Sequence, residues 1–337
     1  MQATVTETLS DPNWFPFRFD YRNDRLLFAW IPRDLHERIV FLSDLRQDAT
    51  PLRWVPVAAI EEMQIASGPL HFIQHSGLNG STLLAHALFQ PTVVVTLKEP
   101  PILTDLVGFG LVSGSQERSK LARGIARLLA RPFDDGQATI IKMSSVGNLL
   151  VDELADESSR LLGLHAPLES MLASLAAKGD EGRMGGRRLF VGLKNSQVTE
   201  FGFSDDALGR CSDLQLAALA WLAMQRLIVS SFQRFGPSRS RSLDSETLFA
   251  NPKRSLQAIA THFKVALDVE QRVEAGILDR HSKTGKPFDL AATLHARART
   301  METFGGEIRS VVEWAEKIAG GQAIPLSLPR PLFGAPG

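Results

Sequence analysis

A glycine-rich turn between two apolar runs is the part of this sequence best suited to bind an anion. Residues 70–73, LHFI, predict a buried strand, and residues 83–88 carry a helical pattern. Between them lies the turn SGLNG, residues 76–80, followed by two hydroxyl residues. Glycines let consecutive backbone N–H groups converge on an anion, and a helix N-terminus adds a partial positive charge. The pattern therefore predicts a phosphate-binding loop.

The residues expected to bind the phosphate lie at the end of this turn and are Asn79, Gly80, Ser81 and Thr82. Their backbone N–H groups would hold the anion, and the hydroxyls of Ser81 and Thr82 would also cap the helix. The full P-loop pattern, G-x-x-x-x-G-K-[ST], is not met, because its first glycine would fall at His75 and its lysine at Ser81. On spacing alone, an ordinary strand-to-helix turn is an equal alternative.

Charged residues follow two further predicted strands. The β-branched run at residues 92–97 ends in Lys98 and Glu99, and residues 137–145 form a third strand that ends in Lys142. Ligands bind at the carboxyl ends of strands in open parallel sheets, so we expect these three side chains beside the glycine turn. The alternatives are a surface ion pair for Lys98 and Glu99, and a stem lying along apolar surface for Lys142.

Composition narrows the class of protein. The chain has 337 residues, 44% of them hydrophobic, which is enough for a substantial core. Lys and Arg together number 37, as do Asp and Glu, so no bulk attraction to nucleic acid or to an anionic membrane is expected. Cys211 is the single cysteine, which excludes an intramolecular disulfide and a multi-cysteine metal site. We expect a cytoplasmic protein, with neither a signal pattern nor an apolar run long enough to span a bilayer.

The first 60 residues are rich in aromatic side chains. They contain a predicted strand, RLLFAWI, and a predicted amphipathic helix, DLHERIVFLSDL, with Asp34 as its acidic cap. Aromatic residues in such a segment usually belong to the core, and the alternative is a lid or acceptor wall over the glycine turn.

Four blocks of the sequence, taken together, resemble the sulfotransferases. The 5′-phosphosulfate loop of that family reads P-[KR]-S-G-[ST]-[ST], and residues 79–84, NGSTLL, are similar to its second half. Its first half departs here, since Gly77 replaces the proline and Leu78 replaces the basic residue. Residues 92–107 then resemble the strand after which several members place a catalytic carboxylate.

The second block is similar to the family's R-[DN]-P element, whose arginine and a following serine bind the 3′-phosphate of the nucleotide donor. Here His165 stands at the arginine position, Pro167 matches, and Ser170 and Ser174 are offset from the usual serine by helical steps. The resemblance therefore implies that His165 and Ser174 contact the 3′-phosphate. A neutral histidine binds phosphate weakly and cannot form the bidentate contact of a guanidinium group.

The later blocks cover residues 239–263 and 280–283. In the first, Glu246 takes the family's acidic position, with a structural role, and in the second His281, Ser282 and Lys283 resemble a short basic element. Outside these blocks, residues 178–188 predict a mobile loop, residues 214–232 a core helix and the C-terminus an extended tail.

The resemblance and the alternating strands and helices imply an α/β fold with a mostly parallel sheet of the P-loop type, flanked by helices. We expect an aromatic-rich N-terminal segment at residues 1–60, a sulfotransferase-like domain at residues 61–320 and a tail at residues 321–337. The implied reaction moves a sulfuryl group from 3′-phosphoadenosine 5′-phosphosulfate to a hydroxyl or amine of a small-molecule acceptor. Glu99 would accept the proton, Lys98 or Lys142 would stabilise the bridging oxygen, and no metal is needed.

Two other classes of function stay open. A P-loop kinase or nucleotide hydrolase would need the loop lysine and an acidic Mg²⁺ ligand, and neither is in place. A non-catalytic binding or regulatory protein, or an enzyme with another donor, would explain the substitutions at Leu78 and His165.

Overall fold

The computed structural model describes residues 2–277 and 289–334. The strands are β1 (Trp14–Asp20), β2 (Arg25–Trp30), β3 (Leu52–Pro56), β4 (Leu70–His75), β5 (Val94–Lys98), β6 (Ala138–Lys142), β7 (Leu161–His165) and β8 (Ser240–Asp244). The first eight helices are α1 (Gln2–Ser10), α2 (Arg33–Arg38), α3 (Ala58–Glu62), α4 (Ser81–Leu88), α5 (Pro101–Ser113), α6 (Ser115–Leu129), α7 (Val151–Leu154) and α8 (Leu168–Ala176). The later helices are α9 (Gly179–Leu193), α10 (Asp205–Gly209), α11 (Asp213–Phe235), α12 (Ser245–Ala250), α13 (Pro252–Phe263), α14 (Val269–Glu274) and α15 (Leu290–Gly321).

Strands β4 to β8 form a parallel sheet with the order β5-β6-β4-β7-β8. Strand β4 is central, and the chain first builds the sheet on one side of it and then crosses to the other. This reversal creates a crevice at the carboxyl end of β4, which is the usual ligand site of an open parallel sheet. The predicted α/β fold with a parallel sheet flanked by helices is confirmed.

Strands β1, β2 and β3 form a separate antiparallel sheet. Its buried aromatic residues share one apolar cluster with α5 and α6, and they are Trp14, Phe15, Phe17, Phe19 and Phe28. Most of the aromatic residues that were expected in the core of this segment are therefore there, although Tyr21 is 40% exposed.

Arg131, two residues after the end of α6, joins the first residues of the chain to the C-terminal end of that helix. Its buried guanidinium donates to the carbonyl oxygens of Thr8 and Leu9, both at 3.0 Å, and to that of Trp14. Burial lowers the pKa of Arg131 to about 9. These main-chain acceptors satisfy a charge that lies in the interior.

Two local predictions were wrong. Residues 178–188 were predicted as a mobile loop, but residues 179–188 belong to helix α9 and Lys178 is its N-cap. The glycines of α9 serve helix packing: a Cβ on Gly186 would lie 2.7 Å from the Cβ of Ala217 in α11. The helix predicted from Asp34 ends at Arg38, and its N-cap is Pro32, so Asp34 lies in the first turn. The first error arises because composition alone does not show which helix a segment packs against.

Helix α11 has the length and composition of a membrane span, contrary to the expectation that no apolar run would reach that length. In the folded protein, 78% of its most apolar window is buried. This agrees with the prediction of a core helix at residues 214–232. Residues beyond α15 also pack: the amide of Ser242 in β8 donates to the carbonyl of Arg330 at 2.9 Å. His281, Ser282 and Lys283 lie outside the described residues.

Candidate functional site

The loop after β4 presents a run of unsatisfied backbone donors. The N–H of Gly77 donates to Nδ1 of His75 at 3.1 Å, and that of Leu84 donates to the carbonyl of Gly80 at 2.9 Å. For residues 78–83, between these two, no N–H has an acceptor within residues 2–277 and 289–334. The first three N–H groups of α4 are part of this run, so the loop and the helix dipole favour the same anion.

Two side-chain contacts hold loop 76–83 against the neighbouring strands. The Nε2 of His75 lies 2.7 Å from the carbonyl of Met143, after β6; because Nδ1 accepts from Gly77, Nε2 carries the proton and donates. The side-chain amide of Asn79 donates to the carbonyl of Leu164 in β7 at 2.7 Å. The loop is therefore tied to both strands that flank β4, and its donors are pre-positioned.

The hydroxyls of Ser81 and Thr82 do not cap α4, contrary to the expectation. Ser81 is already the first helical residue, and the N-cap is Gly80, which makes no side-chain bond. Gly80 has a φ of 78°, and a Cβ there would lie 2.6 Å from Cζ of Phe249 in α12. Only glycine fits this position, for both the backbone angle and the space.

Leu78, which stands where the resemblance has a basic residue, packs against an apolar cluster. It is half-buried beside a group of residues that includes Leu189 of α9. Its φ of 51° is a strained conformation for a branched side chain. This side chain contributes packing rather than charge at the loop.

The ends of β5 and β6 bring Glu99 and Lys142 together. The backbone N–H of Glu99 donates to the carbonyl of Lys142 at 2.9 Å, and the two side chains form an ion pair. Lys142 is 2% exposed, whereas the carboxylate side chain of Glu99 is 27% exposed. The ammonium also lies 5.1 Å from the centre of the Phe41 ring, so the N-terminal segment reaches this edge of the sheet.

Lys98 points away from this pair. Its ammonium is buried and donates to the carbonyls of His36, at 2.5 Å, and Glu37, at 3.2 Å, at the end of α2. Burial lowers the pKa of Lys98 to about 7, and the carboxylate of Glu37 partly opposes that shift. Lys98 therefore holds α2 on the sheet, and Lys142 is the lysine that the structure places beside Glu99.

His165 and Ser174, the two residues expected at the 3′-phosphate, differ in their surroundings. The ring of His165 is 7% exposed, and its Nδ1 has no partner in the described part of the chain. Burial lowers the pKa of His165, and nearby Asp244 partly opposes that shift. The hydroxyl of Ser174 donates to the carbonyl of Ser170 at 2.8 Å, within its own helix.

An arginine that the sequence did not indicate lies close to this region. Arg297 of α15 donates to Oε1 of Glu246 at 2.8 Å, and Ser170 donates to the same oxygen at 2.9 Å. The hydrogen bond from Arg297 is the main cause that lowers the pKa of Glu246. No local pattern could have revealed Arg297, because 51 residues separate it from its partner.

Two sulfotransferase domains are among the solved structures that resemble this chain. One is a sulfotransferase domain from the curacin biosynthetic pathway, with 14% sequence identity and a TM-score of 0.41, matching 79% of this chain and 100% of that domain. The other is a sulfotransferase domain from the olefin synthase of Synechococcus PCC 7002, with 16% identity and a TM-score of 0.40, matching 72% of this chain and 98% of that domain. No family model and no curated protein matches the chain.

Proposed function

We propose that this protein transfers a sulfuryl group from 3′-phosphoadenosine 5′-phosphosulfate to a hydroxyl or amine of a small-molecule acceptor. The observation that carries the proposal is the run of N–H groups at residues 78–83, which have no acceptor among the residues that the structure describes, at the crevice where the strand order reverses. Such a run binds a phosphate or sulfate without needing a basic side chain. The similarity of residues 79–84 to the sulfotransferase loop supports the identity of the anion.

The residues present fit the two ends of this donor unequally. The loop 76–83 fits the 5′-phosphosulfate, because the N–H groups of residues 78–83 have no acceptor in the described part of the chain and His75 and Asn79 hold the loop in place. The place expected for the 3′-phosphate offers a neutral, buried His165, while the hydroxyl of Ser174 is engaged in its own helix. Arg297, the cation close to this place, forms an ion pair with Glu246. The pair therefore offers no net positive charge to a phosphate.

In the proposed reaction, Glu99 takes the proton from the acceptor hydroxyl or amine as the acceptor atom bonds to sulfur. The bond between sulfur and the bridging oxygen breaks, and adenosine 3′,5′-bisphosphate leaves with the electron pair. Lys142 would stabilise the charge that develops on that oxygen, the role expected of the missing basic residue at Leu78. In the free protein these two side chains are paired with each other, so the acceptor and donor must separate them.

Calorimetric titration with adenosine 3′,5′-bisphosphate tests the donor assignment. We expect one site per chain, and binding stronger than that of adenosine, because the phosphates satisfy the unpaired N–H groups. Folded protein that shows no heat at millimolar nucleotide would remove this donor from consideration.

Ser81→Asp provides the matching variant. A carboxylate at the first position of α4 favours the helix dipole but occupies the same N–H groups as a phosphate would. We therefore expect the Ser81→Asp variant to remain folded and to lose nucleotide binding, while the neutral Ser81→Asn variant keeps most of it. Equal affinities in the two variants would place the phosphate elsewhere.

The His165→Arg variant is expected to bind the nucleotide more tightly than the native chain. A charge-assisted hydrogen bond contributes roughly 1.5–3 kcal/mol, equivalent to about ten- to a hundredfold in affinity. Because burial lowers the pKa of His165, we expect acidification of the native chain through the ordinary histidine range to give a smaller gain than the substitution. His165 does not face the 3′-phosphate if His165→Arg and native affinities are equal.

A non-catalytic binding protein is the second candidate. Two observations favour it: Leu78 packs against apolar residues, and Glu99 is held by a nearly buried lysine. Such a protein would bind the nucleotide but would show no transfer to any acceptor. Changing Glu99 would abolish transfer in the enzyme, whereas the binding protein has no transfer to lose. Changing the loop would weaken nucleotide binding in both.

A further inference from the structure

A second cleft lies at the opposite edge of the parallel sheet from loop 76–83. It has a volume of about 470 Å³ and lies between α3 and α6. Leu70, the first residue of β4, lines it, and so does Asp156, which precedes β7. The six residues of β4 separate this cleft from the glycine loop by roughly 17–20 Å. The two places are therefore distinct.

The walls of the cleft are apolar. Its lining includes Val57 and Ile60 from the N-terminal segment and Leu70, Leu121 and Leu154 from the main sheet and its helices. A volume of this size lies in the range of small-molecule sites, which run from roughly 300 to 1,000 Å³. An aliphatic group would fit this lining better than a polar one.

The rim is cationic and not fully paired. Lys120 forms an ion pair with Glu61 across the cleft, at 2.8 Å. Arg123 and Arg127 also line the cleft, and neither has a hydrogen-bond, ion-pair or ring partner in residues 2–277 and 289–334. Asp156, the other acid in the lining, instead accepts hydrogen bonds from Ser158 and Ser159.

The spacing of the two arginines matters. Residues four apart share one face of a helix, and like charges at this spacing destabilise it. Arg123 and Arg127 therefore repel each other above an apolar cleft. An anion placed between the guanidinium groups would relieve that repulsion and form charge-assisted hydrogen bonds with both.

We propose that this cleft binds a small amphiphilic anion, a carboxylate or sulfate group on an aliphatic chain. The anionic group lies between Arg123 and Arg127, and the chain lies against Ile60, Leu70 and Leu121. This site is separate from the sulfuryl-transfer site and does not depend on the donor assigned there.

Calorimetry of the full chain with octanoate, below its micelle-forming concentration, tests the proposal. We expect one octanoate per chain, with acetate and octan-1-ol each binding far more weakly, because each lacks one half of the recognised group. Saturating adenosine 3′,5′-bisphosphate should leave octanoate affinity unchanged. Competition between the two would place the carboxylate in loop 76–83 and overturn the proposal.

The double variant Arg123→Gln, Arg127→Gln should lower octanoate affinity at least tenfold. The control is the double variant Arg188→Gln, Arg299→Gln, which makes the same change in net charge at two exposed arginines and should bind normally. In addition, Ser67→Trp at the exposed mouth of the cleft should weaken binding by steric blockage. Absence of octanoate binding, or equal affinity in both double variants, would refute the site.

Discussion

The Glu99→Gln variant is expected to lose sulfuryl transfer while its affinity for adenosine 3′,5′-bisphosphate stays nearly the same. The carboxylate acts as a base in the transition state, and removal of general acid–base catalysis typically lowers rates by about 10²- to 10⁴-fold. Nucleotide binding depends instead on the backbone of loop 76–83. Turnover with labelled donor, measured beside nucleotide calorimetry, separates the two effects.

Glutamine is the appropriate replacement because its carbonyl can still accept a hydrogen bond from the buried ammonium of Lys142. Glu117→Gln, at an exposed position in α6, is the matched control and should transfer normally. If Glu99→Gln retains full activity, Glu99 is a structural partner of Lys142. If the native chain binds the nucleotide but transfers to no acceptor, the non-catalytic candidate is favoured.

Acid is expected to unfold this protein because several histidines are buried in their neutral form. Burial lowers the pKa of His36 to about 3 and those of His71, His86 and His262 to about 4 each, from an ordinary value of 6.5. As the pH falls, the histidines of the unfolded chain therefore bind protons at a higher pH than those of the folded chain. The stability that these neutral histidines contribute is fully present above the ordinary histidine pKa. It is lost as the pH drops from 6.5 towards 4.

The expected loss is large. Between about pH 7.5 and about pH 5, each fully buried histidine costs roughly 2 kcal/mol of folding stability. His36, His71 and His262 together reach roughly 6 kcal/mol, comparable with the whole stability of many domains, at 5–15 kcal/mol. His86 adds less, because its ring is partly exposed.

Urea unfolding at a series of pH values measures this slope. The His262→Gln variant should show a slope smaller by about one proton, since glutamine can keep the hydrogen bond to Leu161 without titrating. His295→Gln, at an exposed position in α15, is the control and should leave the slope unchanged. A pH-independent stability, or equal slopes in the two variants, would show that these rings are charged or exposed in the folded protein.

Local sequence patterns predicted the parts of the candidate site that follow from strand order. A buried strand, a glycine turn and a helix lie where residues 70–88 predicted them, and the loop lies at the carboxyl edge of the sheet. The meeting of Glu99 and Lys142 follows from the same rule, because neighbouring parallel strands end at one edge. The strand, the turn and the helix depend on residues close together in the chain, whereas Glu99 and Lys142, 43 residues apart, are brought together by the pairing of neighbouring strands.

Only the tertiary structure decided where the long side chains point. Lys98 and Lys142 both end strands and pair in register, yet one donates to the end of α2 and the other to Glu99. The helical form of residues 179–193 depends on packing against α11, and the pairing of Arg297 with Glu246 joins helices far apart in sequence. Periodicity and composition report the environment of a residue's own element. The partner of a buried charge is set by the element that packs against it, so folding had to bring those elements together first.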